Sequence, residues 1–228
     1  MPMKFSGHET FACRYVWLPK ALQAIQSDPR VFADEDEAIV ELGVGKNMVR
    51  SIRFWVEASG TAKPAQQGLE PTKLGLLIFG GWDPFIEDIQ TLWLIHWNLT
   101  TQIEHPLFAW EFLFNRWHEP EFTESAVLKA FAKETDGLSK RLSSVTLQQH
   151  FQVFLHTYVP ARGQKEEISE DNLDCPLTEL ELLVPVPCGA SRSMHFVGKR
   201  SQASAPNCSR TAYRTFGGKY PRMSKRYR

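Results

Sequence analysis

Residues 42–55, with the sequence LGVGKNMVRSIRFW, constrain the fold most strongly because a turn signal precedes an amphipathic helix. Successive residues of an α-helix are rotated by about 100°. On that geometry three cations share one face and an apolar set shares the opposite face. Gly43 supplies the turn, because a residue without a Cβ adopts left-handed backbone angles at little cost. Together with a helix predicted over residues 35–42, this pattern predicts a helix-turn-helix. The cations are Lys46, Arg50 and Arg53, and the apolar residues are Met48, Val49, Ile52, Trp55 and Val56.

This unit predicts binding to double-stranded DNA. In a helix-turn-helix the second helix presents its N-terminal residues to base edges in the major groove, and other cations contact phosphates. The alternative is an ordinary amphipathic helix whose cations are only solvated, and the acidic residues of the preceding helix oppose strong binding by this unit alone. The predicted nucleic-acid-binding residues are Lys46, Asn47, Arg50 and Arg53, with Arg14 as a further phosphate contact.

The pair Gly45-Lys46 also has to be tested as the end of a phosphate-binding loop. A Walker motif needs a glycine five residues before the Gly-Lys pair and a serine or threonine after the lysine. Those positions hold Val40 and Asn47. A nucleotide-binding loop is therefore excluded at this place.

Composition and cysteine spacing exclude several protein classes. The 228 residues are 43% hydrophobic and include seven Trp and fifteen Phe, which predicts a real core. No run of eighteen apolar residues indicates a membrane span, and no signal-peptide pattern begins the chain. The four cysteines form no CxxC pair, so neither structural zinc nor a disulfide framework is expected. The expected compartment is a reducing cytoplasm.

The formal net charge of zero hides a strong asymmetry between two parts of the chain. Residues 188–228 contain seven Arg and three Lys and no acid, whereas residues 1–187 contain 16 cations and 26 anions. The composition of residues 188–228 predicts a disordered tail. Three interpretations stay open: an arm that binds nucleic acid, a segment that folds back on the acidic body, or out-of-frame sequence that replaces a natural C-terminus.

Hydrophobic periodicity predicts a mostly α fold with few short strands. An N-terminal helix-turn-helix or winged-helix-like unit, residues 1–80, is expected to pack on an aromatic-rich helical body, residues 81–187. A loop over 58–69 followed by a strand or short helix over 70–79 could form the wing. Residues 124–159 could form a second helix-turn-helix-like unit. Further helices are predicted over residues 15–26, 83–99, 108–117, 126–135 and 144–158.

Three acids near the start of the predicted helix 83–99 are candidates for cleavage of a phosphodiester. Asp83 and Glu87 are four residues apart and would share a helical face, with Asp88 beside them. With a histidine such as His8 or His96, these carboxylates could hold Mg²⁺, which prefers oxygen ligands. The alternative is helix capping, since Asp before Pro is a common helix start and acids there complement the helix dipole.

His8-Glu9 beside Arg14 is the second polar cluster. Glu9 could orient His8, and Arg14 could bind a phosphate through two guanidinium nitrogens. The alternative is a capped turn in which a Glu–Arg pair fixes the N-terminal segment. Cys13, next to Arg14, is interpreted as a buried structural cysteine rather than a reactive thiol, and His96 as a hydrogen-bonded core residue.

Four motifs of the chain are long and specific. They are Phe5-Ser6-Gly7-His8-Glu9-Thr10-Phe11, Leu42 to Val49, Gly81-Trp82-Asp83-Pro84 and Cys175-Pro176-Leu177-Thr178-Glu179-Leu180. These motifs resemble a bacterial family numbered 4007 among domains of unknown function, over roughly residues 5–187. The resemblance implies a component of bacterial DNA phosphorothioation or phage-defence clusters, similar to the SspB-like DNA nickase component of single-strand phosphorothioation. It also implies partner proteins, namely a cysteine desulfurase and a sulfate-reductase-like protein.

Three hypotheses about activity follow from these observations. In the first, the chain binds duplex DNA through the second helix of the helix-turn-helix and nicks it, with Mg²⁺ or Mn²⁺ as the only cofactor expected. In the second, it is a non-catalytic DNA-binding adaptor or transcription regulator. In the third, it is an interaction protein with no role in nucleic-acid binding. The candidate cleavage residues are His8, Glu9, Asp83, Glu87 and Asp88.

Overall fold

A three-helix unit and a β-hairpin begin the chain in the computed structural model. Their bounds are α1 (Trp17–Ser27), α2 (Glu35–Leu42), α3 (Lys46–Ala58), β1 (Ala62–Ala65) and β2 (Gly68–Pro71). The structure describes residues 3–137, 142–160, 175–188 and 191–198. Most of the described residues that have regular secondary structure are helical, which confirms the predicted mostly α fold.

The turn between α2 and α3 follows from local chemistry. The Asp34 side chain accepts hydrogen bonds from the backbone N–H groups of Asp36 and Glu37 and so caps α2. Gly43 ends that helix with φ 58°, a left-handed conformation that favours glycine. α3 begins three residues later, and its back, including Ile52 and Trp55, is buried. α2 therefore has the predicted bounds, and α3 is the helix predicted after the glycine turn; assignment of the two to a helix-turn-helix stays a prediction.

The segment after α3 differs from the prediction. Residues 62–71 form an antiparallel hairpin where a loop over 58–69 was expected. Gly68 has φ 130°, and a Cβ there would lie 2.1 Å from the carbonyl oxygen of Pro29, so the hairpin depends on close backbone packing. Helix α4 (Lys73–Leu77) follows and continues into a π-helical turn, Ile78–Trp82. Assignment of this element order to a winged helix stays a prediction.

Helix α5 spans Ile89–Thr101, so the prediction that it starts at Asp83 is wrong. Asp88 caps α5 by accepting from the backbone N–H of Gln90. Asp83 instead closes a short loop before the helix, where Ile86 has φ 60°. Asp83 and Glu87 consequently do not share a helical face.

The aromatic-rich body follows α5. Helix α6 (Phe108–Glu111) continues into a π-helical turn, Phe112–Arg116, and helices α7 (Glu124–Thr135) and α8 (Ser144–Tyr158) come next. Thr123 and Ser143 cap α7 and α8 through their hydroxyl groups. Residues 138–141 between α7 and α8 lie outside the described residues, so the second helix-turn-helix-like unit stays a prediction. None of the described helices is long and apolar enough to cross a membrane.

A three-stranded antiparallel sheet contains part of the predicted disordered tail. Its strands are β3 (Glu121–Thr123), β4 (Leu183–Cys188) and β5 (Ser191–Phe196), in the order β3-β5-β4. The prediction of disorder from residue 188 is therefore wrong for residues 191–196, because these residues pair with strands on both sides. The remaining part of that prediction, residues 199–228, lies outside the described residues.

One buried cluster of apolar side chains joins the N-terminal unit to the helical body. The rings of Trp55 on α3 and Trp110 on α6 have centroids 5.9 Å apart, and Phe5 packs on Phe108 at 4.7 Å. Trp55 and Trp110 are both almost completely buried. The two units predicted on either side of residue 80 consequently share a core, which fixes the position of α3 relative to the rest of the molecule.

Candidate nucleic-acid interface

The predicted recognition face lies on the outside of α3. The side chains of Lys46, Arg50 and Arg53 are 55%, 44% and 51% exposed, and Asn47 is also exposed. Val49 and Ile52 on the opposite face are buried. The amphipathic pattern therefore places these residues as the sequence predicted.

A single carboxylate of α2 pairs with the first two cations. Nζ of Lys46 lies 2.6 Å from Oε2 of Glu35, and Nε of Arg50 donates to Oε1 of Glu35 at 2.6 Å. A second guanidinium nitrogen of Arg50 donates to Oε2 at 3.2 Å, which makes this pair bidentate. Glu35 thus fixes the direction of both cations at the N-terminal end of α3.

These contacts change the pKa values of both partners. The pKa of Glu35 is lowered to about 2. The largest cause is the hydrogen bond from Arg50, followed by that from Lys46. The pKa of Arg50 is raised, chiefly by its hydrogen bond to Glu35. Glu35 and Arg50 are therefore charged at neutral pH, and one carboxylate contacts two cationic side chains.

The third cation of this face, Arg53, is also paired. Its Nε lies 3.3 Å from Oε1 of Glu57, one turn along the same helix, and another guanidinium nitrogen donates to the backbone oxygen of Phe32 at 3.4 Å. The sequence did not predict that each cation has a carboxylate partner, although the acidity of α2 was apparent. A phosphate that binds here has to compete with these carboxylates.

Arg14 lies against aromatic rings. Its guanidinium carbon is 5.8 Å from the ring centroid of Phe11 and 5.3 Å from that of Trp17. Cation–π contacts of this kind hold the arginine on the aromatic surface. Glu9, predicted beside it, has φ 47° and lies near enough to Arg50 to raise the pKa of that guanidinium. Glu9 is thus brought to the α3 face.

His8 is buried and pairs with a histidine that the sequence analysis did not single out. Nε2 of His8 is 3.1 Å from Nδ1 of His150, and the rings stack with centroids 5.4 Å apart. Nε2 of His150 accepts from the backbone N–H of Ala109 at 3.1 Å. Nδ1 of His8 accepts from the backbone N–H of Thr10 at 3.3 Å, so each imidazole also binds a backbone N–H group.

Both imidazoles are neutral in the folded protein. Burial lowers the pKa of His8 to about 4, and burial followed by the neighbouring His8 lowers the pKa of His150 well below its ordinary value. Ser51 on α3 donates through Oγ to the carbonyl oxygen of His8 at 3.0 Å. The structure therefore places His8 in the core, where it ties the N-terminal segment to α3 and α8. Position 150 lies on the apolar face of α8 between Leu147 and Phe154, which was the only signal in the sequence.

The acids predicted for cleavage have structural partners. Oδ1 and Oδ2 of Asp83 accept from the backbone N–H groups of Glu87 and Asp88 at 2.8 and 3.0 Å. Burial acts to raise the pKa of Asp83, and hydrogen bonds to its carboxylate outweigh burial, so the pKa lies below its ordinary value. Asp88 also accepts from the indole N–H of Trp82 at 3.1 Å. The capping interpretation accounts for Asp88, whereas Asp83 closes the loop before the helix and Glu87 is exposed.

The predicted metal ligands do not converge. Among the residues that the structure describes, no three His, Cys, Asp or Glu side chains are grouped to hold a metal ion. His96 is 2.8 Å from the hydroxyl of Tyr158 through Nδ1, and burial lowers its pKa to about 4. Cys13 is buried with a pKa raised well above its ordinary value by burial, which opposes thiolate chemistry.

Comparison with known proteins identifies the family. A protein family described as "Protein of unknown function (DUF4007)" matches residues 5–203. The chain belongs to the DUF4007 family. This match extends past the range of 5–187 that the motifs indicated and includes β5. No curated protein matches the chain.

Two solved structures share this DUF4007 fold. A structure of magnesium ion-bound SspB is 28% identical, with a TM-score of 0.73, and a second SspB structure is 29% identical, with a TM-score of 0.72. In each case the similarity covers 89% of this chain and 61% of the SspB chain. The protein thus spans less than two thirds of the SspB structures that it matches.

Proposed function

We propose that this protein is a DNA-binding component of a bacterial DNA phosphorothioation or phage-defence system, with α3 as the helix that contacts the duplex. Membership of the DUF4007 family and the similarity to SspB support the system. The observation that carries DNA binding is the exposed row of Lys46, Asn47, Arg50 and Arg53 on a helix that follows a left-handed glycine turn. Its expected neighbours are a cysteine desulfurase and a sulfate-reductase-like protein.

Glu35 is the residue that regulates access to this row. Its carboxylate forms ion pairs with Lys46 and Arg50 at the surface, and surface ion pairs of this kind contribute little free energy and are easily exchanged. A DNA phosphate that replaces Glu35 accepts the same two donors. Binding by α3 is therefore a competition between phosphate and the carboxylates of Glu35 and Glu57.

The Glu35→Gln variant tests this competition directly. We expect several-fold tighter binding to duplex DNA in a fluorescence-anisotropy titration, because Lys46 and Arg50 lose a competing anion. The matched control is Glu134→Gln on α7. It makes the same charge change in an exposed ion pair, in which Glu134 lies 2.8 Å from Arg116. If both variants bound duplex DNA more tightly by the same factor, the change in net charge alone would explain the effect, which would contradict the proposal.

The Arg50→Ala variant tests the same face from the other side. The logarithm of affinity falls with the logarithm of salt concentration by about 0.9 for each phosphate that a cation neutralises. We expect weaker binding and a slope smaller by about one in Arg50→Ala. Unchanged affinity and slope would show that α3 does not contact DNA.

Nicking is a separate activity, and the SspB structure described as magnesium ion-bound is the observation that favours testing it. The residues predicted for cleavage do not form a magnesium ligand set in the described structure, so no step of the proposal depends on a metal. Supercoiled plasmid incubated with the protein and Mg²⁺ or Mn²⁺ distinguishes the two activities. Conversion to open circle identifies a nickase, whereas retained binding without conversion identifies an adaptor.

A further inference from the structure

An exposed aromatic face surrounds the start and the outer side of α5. Trp97 is 65% exposed, Trp93 and Ile89 are each 48% exposed, and Phe85 and Trp82 before the helix are 72% and 42% exposed. We call these five residues the α5 aromatic face. Large apolar side chains grouped on a surface indicate an interaction site, whereas isolated ones do not.

Helix geometry places the members of this face together. Ile89, Trp93 and Trp97 follow one another at intervals of four residues and form one stripe along α5. The hydrogen bond from the indole of Trp82 to Asp88 holds that ring at the start of the same helix. Leu92 and Ile95 on the other side of α5 are buried, so the stripe is the outer surface of a helix that is firmly packed from behind.

The charges on and next to α5 in the sequence oppose nucleic acid as the occupant of this face. α5 contains no Lys, Arg, Asp or Glu over its thirteen residues. The charged residues that flank it in sequence, Glu87, Asp88 and Glu104, are all acidic and repel phosphates. A nucleic-acid surface needs cations to replace the counterions of the phosphates, and this one has none on its helix.

The structure points to a second copy of this chain as the occupant, and we propose that the α5 aromatic face is a homodimer interface. A two-fold axis near Trp93 would place two copies of α5 antiparallel. Since Ile89 and Trp97 lie four residues on either side of Trp93, Ile89 of each copy would then meet Trp97 of the other. An uncharged stripe with this spacing is complementary to itself, as a two-fold interface requires.

The exposed area suits such an interface. At roughly 200 Å² for a large apolar side chain, the exposed parts of the five residues amount to about 550 Å² per copy. Two copies would bury about 1,100 Å², and specific interfaces start at about 1,000 Å². The face is also rich in tryptophan, the residue type that contributes most at the centres of interfaces.

Sedimentation velocity of the full chain tests the proposal. We expect the wild-type protein to sediment as a dimer at micromolar concentrations and Trp97→Glu as a monomer, because each copy would bury a carboxylate in the contact. Trp97→Phe keeps an aromatic ring and should remain dimeric. The control is Val145→Glu, which introduces the same charge at a 60% exposed position of α8 and should remain dimeric.

Two results would overturn the homodimer: a wild-type protein that stays monomeric across the micromolar range, or a folded Trp97→Glu variant that still dimerises. Far-UV circular dichroism of each variant shows that it is folded, and the wild-type measurement does not depend on any variant. DNA binding by α3 is measured independently with Glu35→Gln, so failure of one proposal leaves the other intact.

Discussion

α3 and α5 are both thirteen residues long, and both have a buried back and an exposed front. The front of α3 carries cations that are paired with carboxylates of α2 and α3, whereas the front of α5 carries tryptophans and no charge. The backs are alike because both helices contribute to one core. The comparison shows that burial of the back determines where a helix lies, while the front determines what it can bind.

The two fronts should also respond differently to salt. Contacts between α3 and a phosphate are ionic and are weakened by added salt, because ions screen exposed charges. Contacts between two α5 faces bury apolar surface and are not weakened in this way. Ionic strength is therefore a simple means of separating DNA binding from self-association in the same preparation.

The largest expected effect separates the backs of the helices from their fronts. Trp55→Ala on α3 should lower the free energy of unfolding by about 3–5 kcal/mol, since Trp55 is buried and its indole donates to the carbonyl of Phe11. In protein dilute enough to be monomeric, Trp97→Ala, which truncates the same residue type on the front of α5, should change it by less than about 1 kcal/mol. Urea denaturation of both variants measures the difference. Equal losses would contradict the division into backs and fronts.

The next largest effect is the pH dependence of stability that is due to the buried His8. The pKa of His8 is about 4 in the folded protein and near the ordinary 6.5 in the unfolded chain, so the unfolded state binds protons first as pH falls. The contribution of neutral His8 to the free energy of unfolding is therefore fully present above about pH 6.5. Up to about 3 kcal/mol of this contribution is lost as the pH falls from about 6.5 to 4. His8→Gln removes the titrating imidazole and keeps a polar side chain that can accept from the backbone N–H of Thr10, so it should flatten this part of the curve.

His118→Gln is the control for this titration, because His118 is exposed. The wild-type curve also contains His96 on α5, whose pKa is lowered to about 4, so His96→Gln measures the corresponding term for that helix. Urea denaturation at a series of pH values gives each curve. If His8→Gln and wild type give parallel curves, the neutral His8–His150 pair does not contribute as described.

A smaller effect distinguishes the starts of the two helices. α5 is capped by the side chain of Asp88, whereas α3 begins at Gly45 without a side-chain cap. Asp88→Ala should destabilise the protein by about 1 kcal/mol, and Asp88→Asn, which can still accept from Gln90, should lose much less. Thermal unfolding measures both. An equal loss in the two variants would show that charge rather than capping is responsible.

The smallest effect is a gain. Gly45 has φ −70° and ψ 159°, an ordinary extended conformation, and a Cβ there would meet no atom within 4 Å. Gly45→Ser should therefore cap α3 and stabilise the protein by a few tenths of a kcal/mol. Gly43→Ser, in the left-handed turn, is the matched control and should destabilise it. A loss of stability in Gly45→Ser would show that the start of α3 is constrained by contacts not apparent in its geometry.

Local signals explain which parts of the fold were predictable. The cap at Asp34, the glycine at position 43 and the serine before α8 act on their own neighbours, so the bounds of α2 and α8 and the turn before α3 followed from the sequence. The start of α5 was misplaced because both Asp83 and Asp88 have cap chemistry, and only packing decides between them. The hairpin was missed because Gly68 adopts its conformation against Pro29, nearly forty residues away.

The candidate site shows the same limit. The outward face of α3 was predictable from helical periodicity alone. The pairing of Arg50 with Glu35 depends on how two helices cross, and the contact between His8 and His150 joins positions 142 residues apart. Neither contact has a signal in a single sequence. The contact with His150 shows that His8, which was predicted as a cleavage residue, is part of the core.

The position of β5 in the middle of its sheet has a consequence for synthesis of the chain. β3 and β4 pair with β5 and not with each other. During synthesis, residues 121–123 therefore have no strand partner until residues 193–195 have left the ribosome. A translation product that stops before Ser191 would leave two strand edges open beside Phe122 and Leu183. Such edges recruit other chains, and we expect that truncated product to accumulate in inclusion bodies.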